Sequence, residues 1–494
     1  MKIWKLLLAM AFVAPAFCGC GGGGGELDVD RCLDFLYDNM PGDDEFAYDH
    51  SFWEENVAKT LEVRDRMGWD VPEREFLHFV LPVRVGDEPL DRFRLEYADS
   101  ICAAVEGMSM SDAVLEINYW CLSHVNYRSD APGNLSPLGV LAYKGSQCDG
   151  LTVLVVNAMR AAGIPARKVG CYWSHTDLGH GWTEVWVDGK WLFCGSAEPH
   201  VYPGIGWFND RASQCFQTAV EVFGSYDGPE PVVSRSEGFT TINSLALYTR
   251  NLRDASVRVV DRKGAPVQGA SVDFRYYNGG SLMSIGQCVT GPDGVATVRG
   301  TGCGSLVAFA FKDGMAGIGI DDGSRPSIEL WRLPDESVHI ATAELSIPPA
   351  DDNIPPYTDE QYRQVLARDA VCDSIRNSLP DFQNPDSVAR AAVLRASRPY
   401  IPHVRLPALS GEISVVPVTD GSLQYGRDFS LLRLDAGTLE PVRGLKVAPG
   451  RYILVTGNRS GESTVIVRLD MFVIPEGIDV ARLPVSIPSE THSR

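Results

Sequence analysis

The alternation of apolar and polar residues changes character along the chain. Residues 27–110 have a mostly helical pattern, for example from Phe52 to Met67, and a short apolar run at 76–81 is ended by Pro82. From about residue 250 to 331 the pattern becomes one of short alternating strands separated by Gly- and Asp-containing turns, which predicts a small β-sandwich. The strands predicted there are Ser256–Asp261, Ala270–Tyr276 and Ser305–Phe311.

A Pro- and Asp-rich linker at 348–356 separates this region from the C-terminal part. Thr358 and Gln361 have the spacing of a capping box, so a helix is predicted after the linker, with a second short helix at Ser387–Ala396. The remaining residues return to a β pattern. Its predicted strands are Ile413–Val418, Tyr452–Thr456 and Thr464–Phe472.

Length and charge narrow the class of protein. The 494 residues suggest about three domains. The 45% apolar and 22% charged composition is ordinary for a globular chain. The formal net charge of −20, without any Lys- or Arg-rich tract, would repel a phosphate backbone, so we expect no nucleic-acid partner.

The first twenty residues have the order of an export signal. Lys2 and Lys5 precede a short apolar stretch at 6–12, which is too short to span a membrane, and no 18-residue apolar stretch follows later. The end resembles a bacterial lipoprotein signal, and Gly19-Cys20 fits its pattern, so Cys20 is the predicted lipid site and residues 21–25 a Gly tether. Plain secretion is the alternative. Membrane contact is expected only through this anchor.

One cysteine is set apart by its position. Residues 151–162 are apolar for too long to form an ordinary strand and are closed by Gly163, so they predict a helix that begins near Ser146 as its capping hydroxyl. Cys148 then lies in the first turn, where free backbone N–H groups and the helix dipole favour an anion. We therefore expect its thiol to ionise more easily than an ordinary one.

A hairpin follows this helix. Ala166–Tyr172 and His180–Val187 alternate as strands, Asp188-Gly189 is a strong two-residue turn, and Lys190–Cys194 returns antiparallel. A two-residue loop makes Val187 face Lys190, and regular continuation places His180 opposite Ala197. The ring of His180 can then face the helix of Cys148, and a Cys–His pair is the minimum for an activated thiol nucleophile.

These pieces together resemble the transglutaminase-like superfamily. The resemblance lies in Cys148 with its helix, the 163–167 segment Gly-Ile-Pro-Ala-Arg, and the 180–186 segment His-Gly-Trp-Thr-Glu-Val-Trp with Gly189-Lys190-Trp191. It implies an α+β fold with a papain-like core, Cys148 as nucleophile and His180 as general base and acid. Gln147 precedes the cysteine as in animal transglutaminases, where its role would be positional.

The sequence departs from the family at the third catalytic position. The family usually has an Asp four residues after the Trp of the second hairpin strand, and here that position is Gly195. Glu198 is the nearest carboxylate, but a bend or bulge would be needed to turn it toward His180. Asn209 is a second candidate, and His175 is the alternative base. The missing Asp also leaves open a domain that has lost catalysis.

The tryptophans, and the cysteines and histidines near them, are not expected to bind a cofactor or a metal. Trp182 and Trp207 are expected as core and groove walls, as are Trp186 and Trp191. Cys171, His175 and His180 lack the close pairing of a metal site, so neither a metal nor a cofactor is expected.

The β-segment resembles the Ig-like and carboxypeptidase-regulatory-like modules of secreted bacterial proteins, through Gly264–Ala270 and the later Asp293-Gly294. These motifs indicate a fold and no ligand. The predicted organisation is a signal peptide at 1–19, a tether at 20–26, a helical region at 27–110, a catalytic core at 111–225, a sandwich at 248–335, a helical segment at 357–398 and a C-terminal β domain at 405–494.

The expected function is that of an exported cysteine-dependent amide hydrolase acting through an acyl-enzyme on a peptide or glycoprotein amide. Three alternatives stay open: a non-catalytic surface binding lipoprotein that keeps the fold, a peptide N-glycanase-like glycoamidase, and a protein cross-linking acyltransferase.

Overall fold

The structure is a computed structural model, and it describes residues 27–176, 178–351, 358–378, 413–419, 422–434, 437–461 and 463–488. The predicted signal, Cys20 and the short helix at 387–396 lie outside these residues. Among the described residues, no helix has the length and apolar character needed to cross a bilayer.

The N-terminal part is helical, as the pattern predicts. Helix α3 begins at His50 and ends at Met67, where Gly68 adopts the left-handed conformation (φ 63°) that closes many helices. Most of its buried face forms an apolar cluster with α1 and α4, and α3 also packs against α5, which in turn packs against the central helix α8. The helices are α1 Val29–Asn39, α2 Gly42–Ala47, α3 His50–Met67, α4 Glu73–Phe79, α5 Phe93–Val105, α6 Met110–Leu122, α7 Pro137–Tyr143 and α8 Cys148–Ala161.

Helix α8 is central because it is buried on every side. All residues from Gly150 to Ala161 are buried, since helices cover one face and a sheet covers the other. A short parallel pair, β1 Asn126–Tyr127 and β2 Gly145–Ser146, leads directly into it.

The sheet beside α8 is antiparallel, with strand order β5-β4-β3-β6-β8-β7. The Asp188-Gly189 turn has positive φ at both residues (48° and 86°), which confirms the predicted hairpin and its pairing of Val187 with Lys190. The elements are β3 Ala166–Tyr172, β4 Gly179–Val187, β5 Lys190–Cys194, α9 Asn209–Ser213, β6 Ala219–Phe223, β7 Val232–Ser236 and β8 Phe239–Ile242.

Two further sheets form a sandwich after this core. One has the order β11-β10-β13-β14-β16 and the other β12-β9-β15, and apolar residues from both fill the space between them. The strands are β9 Leu252–Val260, β10 Ser271–Asn278, β11 Ser281–Val289, β12 Val295–Gly302, β13 Leu306–Lys312, β14 Met315–Asp321, β15 Ser327–Glu329 and β16 Trp331–Arg332.

The C-terminal sheets combine segments that are far apart in sequence. The larger has the order β17-β23-β22-β19-β20 and the smaller β21-β18-β24. Strand β17 precedes the helix α10 and yet pairs with β23, so this sheet begins well before residue 405. The elements are β17 Val338–Ser346, α10 Asp359–Ser378, β18 Ile413–Val418, β19 Phe429–Leu434, β20 Leu439–Pro441, β21 Lys446–Val447, β22 Gly450–Ser460, β23 Thr464–Ile474 and β24 Val480–Pro484.

Candidate active site

Cys148 is the first residue of α8. Gln147 is the N-cap, and no side chain caps the helix. The predicted capping by Ser146 is wrong, because Ser146 belongs to β2 and its backbone pairs with the strand before it. The first helical turn nevertheless holds Cys148 as predicted.

The protonation of the Cys148 thiol differs from the sequence expectation. Burial raises its pKa, and hydrogen bonding from the backbone of Gly181 and Asp149 lowers it by a smaller amount. The helix start therefore acts in the predicted direction, but loss of water around the sulfur outweighs it. The expectation of a readily ionised thiol is wrong in the resting state.

Strand β4 approaches the start of α8 at a glycine. A Cβ atom on Gly181 would lie 3.9 Å from the Asp149 Cα and 3.5 Å from the Val169 carbonyl oxygen, so sheet and helix are in van der Waals contact there. Gly181 follows His180 directly, and its backbone forms a hydrogen bond with the Cys148 sulfur. The backbone of β4 thus places the histidine one residue from the cysteine's hydrogen-bond partner.

His180 lies in an aromatic environment. Its ring centroid is 5.8 Å from that of Trp173, 5.0 Å from Trp207 and 5.4 Å from Phe208. Its Nε2 is buried and has no hydrogen-bond partner among the described residues. Burial, and then the positive charge of Arg211, lower the pKa of His180 to about 4, so the imidazole is neutral at neutral pH.

Cys148 and His180 line one cavity of about 590 Å³. Its other walls come from β3, β6 and β8 and from the sandwich strands β10 and β11. The sandwich residues on the wall are Tyr276, Met283 and Ser284. The cavity therefore lies between the α8 core and the sandwich.

One end of the cavity is charged, and the sequence reasoning missed it. Lys168 Nζ lies 2.6 Å from Asp149 Oδ1, and Glu221 is on the same wall. Burial alone would lower the pKa of Lys168, but the carboxylates of Asp149 and Glu221 raise it overall. Burial raises the pKa of Glu221. These residues are scattered in sequence over helix and sheet, so only the fold brings them together.

Glu198 does not reach His180. The pairing of β5 with β4 ends at Cys194, and the chain makes a tight turn closed by a bridge between Gly195 and Glu198, with Ala197 at φ 56°. The predicted pairing of His180 with Ala197 is therefore wrong, and the required bend is present. Glu198 Oε2 accepts a hydrogen bond from Trp207 Nε1 (2.8 Å), so its connection to His180 runs through the Trp207 ring.

The other predicted site residues do not all lie at the cavity. Asn209 Oδ1 accepts from the Gly206 N–H (2.9 Å), and His175 is not on the cavity wall. Gln147 lines the cavity and donates from Nε2 to the Ser129 carbonyl (3.2 Å). Trp207 is 53% exposed and lies beside His180 but is not among the residues that line the cavity, whereas Trp182 is fully buried and belongs to the core alone.

A buried polar network lies under Trp182. Arg167 Nε donates to Glu184 Oε2 (2.6 Å), and both side chains are fully buried. Glu184 Oε1 accepts from Tyr248 (2.6 Å) and Ser244 (2.6 Å), and Trp182 Nε1 donates to the Tyr248 oxygen (2.7 Å). The conspicuous Trp and Glu of the histidine strand thus stabilise the sheet rather than contact the cavity.

No set of three or more His, Cys, Asp or Glu side chains within the described ranges is arranged to hold a metal ion. The ten cysteines described are all free, and the nearest pair, Cys171 and Cys215, has its sulfurs 3.5 Å apart.

Comparison with known proteins finds a family match for part of the chain. Residues 96–195 match the family model described as the transglutaminase-like superfamily. No curated protein matches the sequence.

Similar solved structures include a candidate cysteine protease from Cytophaga hutchinsonii, with 15% identity and a TM-score of 0.22 over 35% of this chain and 64% of that one. A red sea bream transglutaminase has 9% identity and a TM-score of 0.25, over 57% and 68%. A candidate protease from Parabacteroides distasonis has 10% identity and a TM-score of 0.20, over 85% and 52%. This chain thus spans less than two thirds of the first and the last of these structures. On the family match, residues 96–195 are a transglutaminase-like domain in an α+β chain.

Proposed function

We propose that this protein is an exported cysteine-dependent amide hydrolase in which Cys148 is the nucleophile and His180 the general base and acid. The observation that carries the proposal is that both residues line one cavity, with the Cys148 sulfur hydrogen-bonded by the backbone of the residue next to His180. A thiol and an imidazole at one cavity wall are the arrangement that acyl transfer requires.

The reaction proceeds in two halves. The Cys148 sulfur attacks the amide carbonyl carbon, its proton passes to His180, and a C–S bond forms as the carbonyl π electrons move to oxygen. His180 then gives this proton to the leaving nitrogen as the C–N bond breaks, which releases the amine and leaves a thioester. Water, deprotonated by His180, attacks the thioester and regenerates the thiol with release of the acid.

The start of α8 supplies electrostatic stabilisation for the oxyanion. Its first backbone N–H groups, including that of Asp149, have no partner within the helix and point toward the sulfur. Gln147 borders the same wall. We assign it to the substrate groove with Trp207, which is exposed beside His180.

The substrate class proposed is an amide of a peptide or glycoprotein. Hydrolysis is favoured over cross-linking because transfer to an amine needs a second specific site, and no contact among the described residues of the cavity singles one out. No cofactor takes part in these steps. Export, with Cys20 as lipid anchor in the cell envelope, is part of the proposal on the sequence of the first twenty residues.

The test is hydrolysis of peptide and glycopeptide libraries by the full mature chain, with Cys148→Ala and His180→Ala beside the wild type. Cys288→Ala is the matched control, since Cys288 is a half-buried thiol on the sandwich, away from the cavity. We expect product from the wild type and control alone, with the circular dichroism unchanged in all four. Turnover by Cys148→Ala would contradict the mechanism.

A second candidate function is a binding protein that keeps the fold without catalysis. It is favoured by Gly195, which has no carboxylate, and by the unpartnered Nε2 of His180 among the described residues. In that case the wild type and Cys148→Ala would bind the same library members equally well and release no product. Equilibrium binding measurements with the same libraries test this.

A further inference from the structure

The hairpin of β10 and β11 reaches from the sandwich into the core. Its tip, Gly279-Gly280, is buried, and a Cβ on Gly280 would lie 2.6 Å from the Phe429 backbone nitrogen. A Cβ on Gly457 would lie 2.3 Å from the Tyr277 ring, so the hairpin is also packed closely against β22. The tip therefore has no room to shift relative to the C-terminal sheet.

Asn278, at the end of β10, donates hydrogen bonds into the core. Its Nδ2 lies 2.9 Å from the carbonyl oxygens of both Trp173 and Thr176. Asn278 is 5% exposed, so these bonds are shielded from water. The two acceptors belong to the loop that joins β3 to β4.

Arg459 holds the same loop from the C-terminal sheet. From β22 its Nη1 donates to the Ser174 carbonyl (2.8 Å) and its Nη2 to the Thr176 carbonyl (2.8 Å). Arg459 and Asn278 thus supply side-chain donors to the main-chain carbonyls of Trp173, Ser174 and Thr176, and the Thr176 carbonyl accepts from both. Donors separated by 181 positions in sequence meet at one loop.

This loop contributes to the environment of the His180 ring. Trp173, at its start, lies 5.8 Å from His180 and is nearly parallel to Trp182 behind it (5°). The loop returns to the sheet at Gly179, one residue before His180. Any displacement of the loop backbone consequently moves the ring that shields the imidazole.

We propose that Asn278 and Arg459 are positioning residues for His180, so that the sandwich and the C-terminal sheet are parts of the catalytic unit rather than spacers. This inference rests on the proposed function for its kinetic consequence. Its structural consequence, the environment of the His180 ring, can be measured separately.

Loss of these donors exposes the imidazole. The charged and titratable groups around His180 are Arg211 from α9, Cys148 from α8, Cys171 opposite it on β3, and Glu198 behind Trp207. These stay in place when the loop loosens. Water then reaches the ring, so the pKa of His180 rises from about 4 toward its ordinary value of 6.5.

The experiment uses the full mature chain with Asn278→Ala, Arg459→Ala and Arg459→Lys. Arg468→Ala is the matched control, because Arg468 is on the neighbouring strand and its side chain hydrogen-bonds, within the described ranges, only Asp470 (2.7 and 3.0 Å). Histidine Cε1–H signals are titrated by NMR, and His180→Gln identifies the signal of His180. Steady-state hydrolysis of a library substrate is measured alongside.

We expect a rise of at least about one pKa unit for His180 and a fall in kcat of at least about tenfold in Asn278→Ala and Arg459→Ala. KM should change by less than about threefold, and Arg468→Ala should match the wild type. If Arg459→Ala does not fold, Arg459→Lys and Asn278→Ala decide the matter. Folded variants that keep the His180 pKa near 4 would overturn the inference. A shifted pKa in a protein without hydrolytic activity would uphold positioning and refute the proposed function.

Discussion

The resting protonation of the cysteine–histidine pair is the property that can be tested without knowing the substrate. The pKa of His180 is lowered to about 4, and that of Cys148 is raised above its ordinary value of 9.0. The gap of at least about five pKa units is worth about 7 kcal/mol in favour of the neutral pair, at about 1.4 kcal/mol per unit.

Attraction between the two charges reduces this gap but does not reverse it. Even unit charges as close as about 4 Å would attract by only about 4 kcal/mol at an effective dielectric of about 20. About 3 kcal/mol remains, so thiol and imidazole outnumber thiolate and imidazolium by about a hundredfold. Alkylation of Cys148 should therefore follow the thiolate fraction of a buried thiol and rise tenfold per pH unit up to at least pH 9.

The assay is alkylation by iodoacetamide between pH 4 and 10, with Cys148 modification followed by peptide mass spectrometry. His180→Ala should change the rate at pH 6 by less than about threefold, because the imidazole is not charged in the wild type. Cys148→Ala, which loses the labelled peptide, confirms the assignment. A fast, pH-independent rate between pH 5 and 8 that disappears in His180→Ala would show an ion pair and refute this reasoning.

Three further predictions concern the surroundings of the pair. Gly195→Asp should lower the free energy of unfolding in urea by about 1–3 kcal/mol and add no activity, because its Cβ would lie 2.7 Å from the Glu198 Cβ; a more active variant would contradict this. Glu198→Gln, which keeps an acceptor for Trp207, should retain kcat within about twofold, whereas Glu198→Ala should lower it by about fivefold, the equivalent of one hydrogen bond; equal rates would contradict it. Arg167→Met should cost about 3–5 kcal/mol in urea unfolding, since Glu184 is left buried without its cation. Adding Glu184→Gln should recover part of that loss, and no recovery would show that packing of the guanidinium dominates.

Local sequence patterns were sufficient to predict the helix and strands that contain Cys148 and His180. Strands β3 and β5 have the predicted bounds, because each alternates regularly between strong turn or helix-ending signals. The Asp188-Gly189 turn fixes the register, so the pairing of β4 with β5 was predictable as far as Cys194. The position of Cys148 in the first helical turn followed from the long apolar run after it.

What the sequence could not predict depends on three-dimensional packing. The sign of the Cys148 pKa shift depends on burial of the thiol, and the helix start is packed against β4, which is distant from it in sequence. The acceptor role of Glu198 depends on a turn in which Ala197 takes a positive φ. Alanine rarely adopts this conformation, so the sequence does not predict the turn. The fully buried position of Trp182 follows from the Arg167 network below it.

The missing carboxylate and the low pKa of His180 have one structural cause. The turn after Cys194 brings Glu198 back against Gly195, so a side chain at position 195 would collide with it, and the glutamate is held by Trp207 instead. Aromatic rings then surround the imidazole where a carboxylate would otherwise stabilise its cation, and its pKa falls. Under the proposed mechanism, charge has to form during attack on the substrate. The N–H groups at the helix start stabilise the oxyanion. The imidazolium is stabilised by the negative charge that develops beside it in the transition state. Catalysis in this site thus depends on a substrate that fills the cavity and excludes water, more than on a preformed ion pair.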